Sequence, residues 1–143
     1  MNITIRKAQL RDIPELVKIN KKFNGIDSTV ESMQDAFSNK NEIVIVAANG
    51  TEAVAFICGQ VRRSICYPDG YQGVITELFV YKQFRRHGIA TKLIQLLEQE
   101  FAKRNVTRIE LRTWRDNKKA RKCYESCGYT KAKRVVYAKH KEV

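Results

Sequence analysis

The 143-residue chain holds only two prolines, so few of its segments are barred from regular structure by a missing N–H or a fixed φ. No run approaches the roughly eighteen apolar residues that a membrane-crossing helix needs. The opening, MNITIRKAQLRDIPEL, lacks the apolar core of a secretory leader, so a cytoplasmic protein without membrane association is expected. Its four cysteines, Cys58, Cys66, Cys123 and Cys127, have neither paired CxxC spacing nor histidines beside them. That argues against zinc, and thiols in such a compartment stay reduced, so they read as small apolar fillers. There are no repeats, no Ser/Gly linker and no low-complexity tract. A single domain over residues 1–143 follows, large enough to bury a core without disulfides or metal.

Acidic residues are scarce in the second half. Residues 1–72 carry nine Lys and Arg against eight Asp and Glu, whereas residues 73–143 carry eighteen against seven, which puts nearly all of the formal net charge of +12 there. A field of that sign recruits a polyanion: nucleic acid, an acidic membrane surface or a phosphorylated cofactor. Charge alone does not choose among them.

The elements that are present alternate. ITIRKA reads as a strand, and DIPE as a capping box of Asp12 with Glu15 that opens a helix with Ile13, Leu16, Val17 and Phe23 on one side. A second helix is expected after STVE, with Ser28 and Glu31 as its box, running to about Phe37. EIVIVAA and AVAFICGQVRR, parted by NGTE, form a hairpin signature, and the loop YPDGYQG leads into a third long strand. An amphipathic helix over 89–104 shows Ile89, Leu93, Leu96, Leu97 and Phe101 on one face. VTRIELRTW is a further strand, with Trp114 at its end as core or wall. A short helix then gathers Ala120, Cys123, Tyr124 and Cys127 and stops at Gly128, and YTKAKRVVYAKH closes the chain as one or two strands. The order predicts an α/β (α+β) fold with a mixed sheet and helices on its faces.

RRHGIA, residues 85–90, sits where the third long strand hands over to the amphipathic helix. A helix N-terminus offers N–H groups without helical acceptors and the positive end of the macrodipole, and Gly88 lets backbone approach a ligand. Such a turn can cradle an anion, though a bare RxxGxA pattern also fits an ordinary solvated turn. Its surroundings carry more. ITELFVYKQFRRHGIATKLIQLLEQEF resembles the cofactor-binding motif of the GNAT superfamily of N-acetyltransferases, a strand, a [Q/R]xxGx[G/A] turn and a helix. DNKKARKCYESCGY is similar to that family's second signature, at the right distance, and with the element order the resemblance covers nearly the whole chain. It implies a mixed, mostly antiparallel central sheet with helices on both faces.

The resemblance also implies acetyl-CoA as cosubstrate, no metal, and a pyrophosphate held by the backbone of Arg85, Arg86, His87, Gly88, Ile89 and Ala90, with Thr91 adding its hydroxyl. Lys118, Lys119, Arg121 and Lys122 are candidates for the 3′-phosphate. The N–H of Phe79 or Val80 would polarise the thioester carbonyl, and Asn117 either caps its helix or also touches the pantetheine arm. Tyr124 is the implied acid toward the leaving thiolate, although a core tyrosine on the same apolar face would look alike. An alkyl amine with a pKa of about 10 is only about one part in a thousand free base at neutral pH, so a base, often through water, is required. Glu77 is the first candidate and Glu110 the second; a solvated strand carboxylate would read the same way. Ala90 stands where glycine is commoner, and Cys123 and Cys127 where bulkier apolar residues are, and neither departure forbids function. No electropositive setting marks a cysteine nucleophile, so direct transfer in a ternary complex is expected.

The acceptor is expected to be a primary amine of a small molecule, facing FNGIDSTVESMQD, where Asp27, Glu31 and Asp35 recur at helical spacing. ITELFVYKQFRRHGIATKLI also looks like the corresponding part of aminoglycoside N-acetyltransferases, which makes an amino sugar one candidate. A protein or peptide amine, and a CoA-binding domain without catalysis, are the alternatives, and the resemblance leaves room for a homodimer. Nucleic acid is not expected as a partner, since there is no recognised binding signature and no basic helical face free of motif residues.

Overall fold

The computed structural model describes residues 2–66 and 68–141; Tyr67, the first residue of the expected hairpin loop, lies outside them. Five strands form one sheet in chain order: β1 (Ile3–Lys7), β2 (Glu42–Asn49), β3 (Glu52–Arg62), β4 (Tyr71–Val80) and β5 (Val106–Leu111). The first four are antiparallel neighbours and β5 joins β4 in parallel, as a strand pair linked by a crossover helix must. The helices are α1 (Ile13–Asn24), α2 (Val30–Phe37), α3 (Ile89–Lys103) and α4 (Lys118–Ser126).

The central strands are buried nearly continuously rather than alternately because helices cover both faces. On one face Leu16 and Ile19 of α1 pack on Val46 and Phe56, with Met33 and Phe37 of α2 at the margin. On the other, Leu93, Ile94, Leu97 and Phe101 of α3 are fully buried against Ile45, Ile57 and Ile75. Each such side chain contributes about 1.5–3 kcal/mol of transfer free energy. Gly59 of β3 makes the close approach feasible, since a Cβ there would lie 2.7 Å from Phe101 Cζ and 2.9 Å from Leu97 Cδ1.

Five expectations change. The box of Asp12 with Glu15 does not form. Asp12 instead takes two bonds from the Arg6 guanidinium, at 2.7 and 2.9 Å, and one from the Gln9 N–H at 2.7 Å, and the Arg6 bonds hold its carboxyl below the usual range. Glu15 pairs with Lys18 and accepts from the Ala53 N–H. The cap of α2 is Thr29, whose hydroxyl accepts from the Ser32 N–H at 3.0 Å, one residue past the expected Ser28. Residues 129–141 form no strand among the described residues, so their alternation finds no ladder. Trp114 lies three residues beyond the end of β5 and is 85% exposed, neither core nor wall. Cys66 is likewise exposed rather than a filler.

Candidate functional site

The β4–β5 ladder runs only from Tyr71↔Val106 to Ile75↔Leu111. Because β5 ends there, the outer edge of β4 from Thr76 to Val80 has no strand beside it among the described residues, while its inner edge stays paired to β3. The Tyr81 N–H donates to Val54 O at 2.9 Å, which fixes the alternation of bonded and non-bonded pairs along the antiparallel β3–β4 ladder. Phe79 and Glu77 therefore turn their N–H groups toward β3, and Val80 and Leu78 turn theirs to the open edge. Of the two donors expected from the sequence, Val80 has the free direction and Phe79 is committed to the ladder. Leu78 was missed, because nothing in the sequence tells which strand edge is open.

Directly after this edge comes the 85–90 turn. A short 3₁₀ turn, Lys82–Phe84, is followed by Arg86 at φ 66° and Gly88 at φ 75°, the latter capping α3. Arg85 folds back, its Nε donating to Val80 O at 2.9 Å and its guanidinium lying 5.7 Å from the Phe79 ring centroid. His87 Nδ1 is 3.1 Å from Phe84 O. These side-chain contacts pin the loop from below and leave Arg86, His87 and Gly88 exposed. A Cβ at Gly88 would meet nothing within 4 Å, so the space over the turn is open. The first N–H groups of α3 face it without helical acceptors, and the geometry fits a pyrophosphate.

The two faces of β4 carry different chemistry. Leu78 belongs to the α3 side, and Cys123 and Tyr124 of α4, with Cys127 just past its end, pack against the same cluster. Tyr124 stacks edge-on with Tyr129 at 6.1 Å, and burial, reinforced by the neighbouring thiols, pushes its phenol up to about 12. Asn117 caps α4, its Oδ1 accepting from the Ala120 N–H at 3.1 Å. Arg121 is turned back onto Arg115 O, whereas Lys118, Lys119 and Lys122 are exposed.

Glu77 lies on the opposite, α1–α2 side, beside Cys58 and bonded by the Thr76 hydroxyl. Burial pushes the Cys58 thiol well up, and the carboxylates of Glu77 and Glu42 add to it. Burial raises Glu42 as well, with Glu77 contributing. Two carboxylates thus share this face, and Glu42 was not found from sequence because only strand register brings it there. The Cys123 thiol is raised by burial and by Cys127, so neither Cys58 nor Cys123 is a ready thiolate at neutral pH. Glu110 is not free: Gln72, Arg108 and Arg134 all bond its carboxylate, and it sits below the open edge, opposite Val74. Asp27 pairs with Lys21 at 3.0 Å, while Glu31 and Asp35 lie exposed on α2. Among the described residues no cluster of three His, Cys, Asp or Glu side chains could hold a metal ion, and no helix is long and apolar enough to cross a membrane.

A family model described as the acetyltransferase (GNAT) family matches residues 10–129. Among solved structures, an aminoglycoside acetyltransferase from an uncultured soil metagenomic sample, in complex with sisomicin, superposes with a TM-score of 0.86 at 19% identity, covering 99% of this chain and 97% of that one. AAC(6')-Iy in complex with the bisubstrate analogue CoA-S-monomethyl-acetylneamine gives 0.84 at 16%, covering 99% of each chain. The ribosomal-protein-alanine N-acetyltransferase of Brucella melitensis biovar Abortus 2308 gives 0.81 at 19%, covering 99% of this chain and 100% of that one. At these identities the likeness is one of fold.

Proposed function

The chain belongs to the GNAT acetyltransferase family, whose cosubstrate is acetyl-CoA, and from that premise we propose that it acetylates a primary amine of a small molecule by direct attack in a ternary complex. The observation that carries the reading is the unpaired β4 edge from Thr76 to Val80 running straight into the 85–90 turn. Acetyl-CoA supplies an activated acetyl thioester. The N–H groups of Gly88, Ile89 and Ala90 bind its pyrophosphate, and Val80 offers an N–H where negative charge grows on the carbonyl oxygen. On the α1–α2 side, Glu77 takes the amine proton, directly or through water. On the α3 side, the Tyr124 hydroxyl faces the leaving sulfur.

The raised phenol decides what Tyr124 does. Full transfer from a phenol pushed up to about 12 to a thiolate whose acid titrates near 8.5 would be strongly uphill. Tyr124 therefore donates a hydrogen bond that stabilises the departing thiolate and keeps its own proton. The paired carboxylates Glu77 and Glu42 favour a cationic acceptor locally, and an amino sugar is the substrate class that the sisomicin-bound and acetylneamine-bound relatives support. A peptide amine is the second reading, favoured by the match to a ribosomal-protein-alanine N-acetyltransferase.

Calorimetric titration with acetyl-CoA, followed by a panel of amines assayed for free thiol release, tests this. Binding on the order of micromolar with amine-dependent thiol release is expected. No binding overturns the reading, and binding with no turnover on any amine leaves a CoA-binding domain without catalysis.

A further inference from the structure

The positive charge of the second half exceeds what acetyl-CoA can use. Residues 112–141 hold eleven Lys and Arg against two Asp and Glu, whereas a phosphate monoester brings about two negative charges and a pyrophosphate diester about two more. Much of the excess is also far from the 85–90 turn along the sheet. That turn follows the C-terminal end of β4, but residues 129–134 lie beside Val106–Ile109, the first residues of the parallel neighbour β5. There the tail and the open edge of β5 enclose a groove of about 670 Å³ lined by Arg108, Lys131, Lys133 and Arg134. Its lining carboxylate, Glu98, is already bonded by the Tyr129 hydroxyl at 2.8 Å, and Arg108 and Arg134 are paired with Glu110 at 3.3 and 3.0 Å, which leaves Lys131 and Lys133 to meet an anion.

Two flat rings stand free on the same stretch of chain. Trp114, at the far end of β5, is 85% exposed, and Tyr137 in the tail is 93% exposed. An exposed ring flanked by Arg112 and Arg115 offers a stacking platform, and base–aromatic stacking between basic residues is how single strands are held without sequence preference. A membrane surface is less well served, because the apolar side of α4 is turned inward onto the core and leaves no amphipathic helix to lie in the interface. The sequence argued against nucleic acid because it holds no recognised binding signature and no basic helical face free of motif residues. The tail meets the second objection, being basic, largely exposed and outside every helix.

We infer that the outer edge of β5 with the tail 129–141 is a docking surface for single-stranded nucleic acid, its phosphates on Lys131 and Lys133 of the groove and a base on Trp114. Its lysines lie beside the start of β5, away from the 85–90 turn, so the test needs no acceptor. Trp114 is the only tryptophan, and its fluorescence reports on the surface directly. Titrating the protein with a short oligoribonucleotide should quench this emission saturably without a blue shift, and the affinity should fall as salt rises. Lys131→Glu with Lys133→Glu should weaken binding by more than tenfold and flatten the log–log salt dependence by about 1.4, with acetyl-CoA affinity unchanged as the control for folding. Trp114→Ala should weaken it about tenfold. A matching oligodeoxyribonucleotide shows whether the 2′-OH matters. Absence of quenching, affinity indifferent to the lysine substitutions, or a blue shift produced only by phosphatidylserine vesicles would overturn the inference, the last pointing to a membrane surface instead.

Discussion

Replacing Tyr124 by Phe removes one hydroxyl from a ring that otherwise keeps its packing against Cys123, Cys127 and Tyr129. The proton of that hydroxyl is held too tightly, at about 12, to be handed over at neutral pH. On the proposed role the substitution removes a hydrogen bond to a developing anion, worth about 1.5–3 kcal/mol, so turnover should fall about 10- to 150-fold with acetyl-CoA affinity unchanged. Steady-state thiol release against pH, with the best acceptor of the panel, is the assay. The wild type should show no alkaline limb from Tyr124 below about pH 11. Stability gives a second readout. A phenol titrating near 10 unfolded and higher when folded binds its proton more tightly in the native state, so its contribution is whole below pH 10 and is lost as pH rises from about 10 to about 12. Denaturant unfolding at high pH should show Tyr124→Phe losing less stability than the wild type over that window. Full turnover in a folded Tyr124→Phe protein would refute the role assigned to the hydroxyl, and an equal loss of acetyl-CoA affinity would make the residue structural.

The other expectations are narrower. Gly88→Val places a branched side chain in open space at φ 75°, so thermal stability should drop by about 1–2 kcal/mol while acetyl-CoA affinity, measured by calorimetry, falls tenfold or more; unchanged affinity would move the pyrophosphate elsewhere. Glu77→Gln should lower turnover about a hundredfold and remove the acidic limb of the pH–rate profile, and an unaltered profile would hand the proton to ordered water. Gly59→Ala drives a methyl into Phe101 and Leu97 and should cost about 1–3 kcal/mol in urea unfolding without changing the acetyl-CoA dissociation constant of the protein that remains folded.

Much of this architecture is legible from local signals. The NGTE hairpin, the stripe of α3 and the glycine at its start each depend on residues within a few positions of one another, and each is present. What failed depended on partners. YTKAKRVVYAKH has the alternation of a strand, but strand preference is realised only against a neighbouring ladder, and residues 129–141 run past β5 without one. The Asp12 box lost to Arg6, a residue on β1 that no helix-start pattern contains. The same limit applies at the site. Glu77 and Tyr124 could be named from their motifs, but not the opposite faces they occupy, nor that Glu110 would be held by Arg108 and Arg134.

The two faces of β4 divide the chain by stretch of sequence as well as by chemistry. Everything on the proposed donor side, from the exposed β4 edge through the turn, α3 and α4, is one uninterrupted stretch from Tyr71 to Ser126. The proposed acceptor side, Glu77 of β4 apart, is furnished by the earlier segment, in which α1 and α2 overlie β2 and β3. A grafted α1–α2 loop from another chain of this fold would therefore meet an intact thioester-binding half, and acceptor choice could be exchanged as a cassette while the acyl donor stayed fixed. Directed diversification confined to residues 23–37 should shift which amine is used long before it disturbs the use of acetyl-CoA.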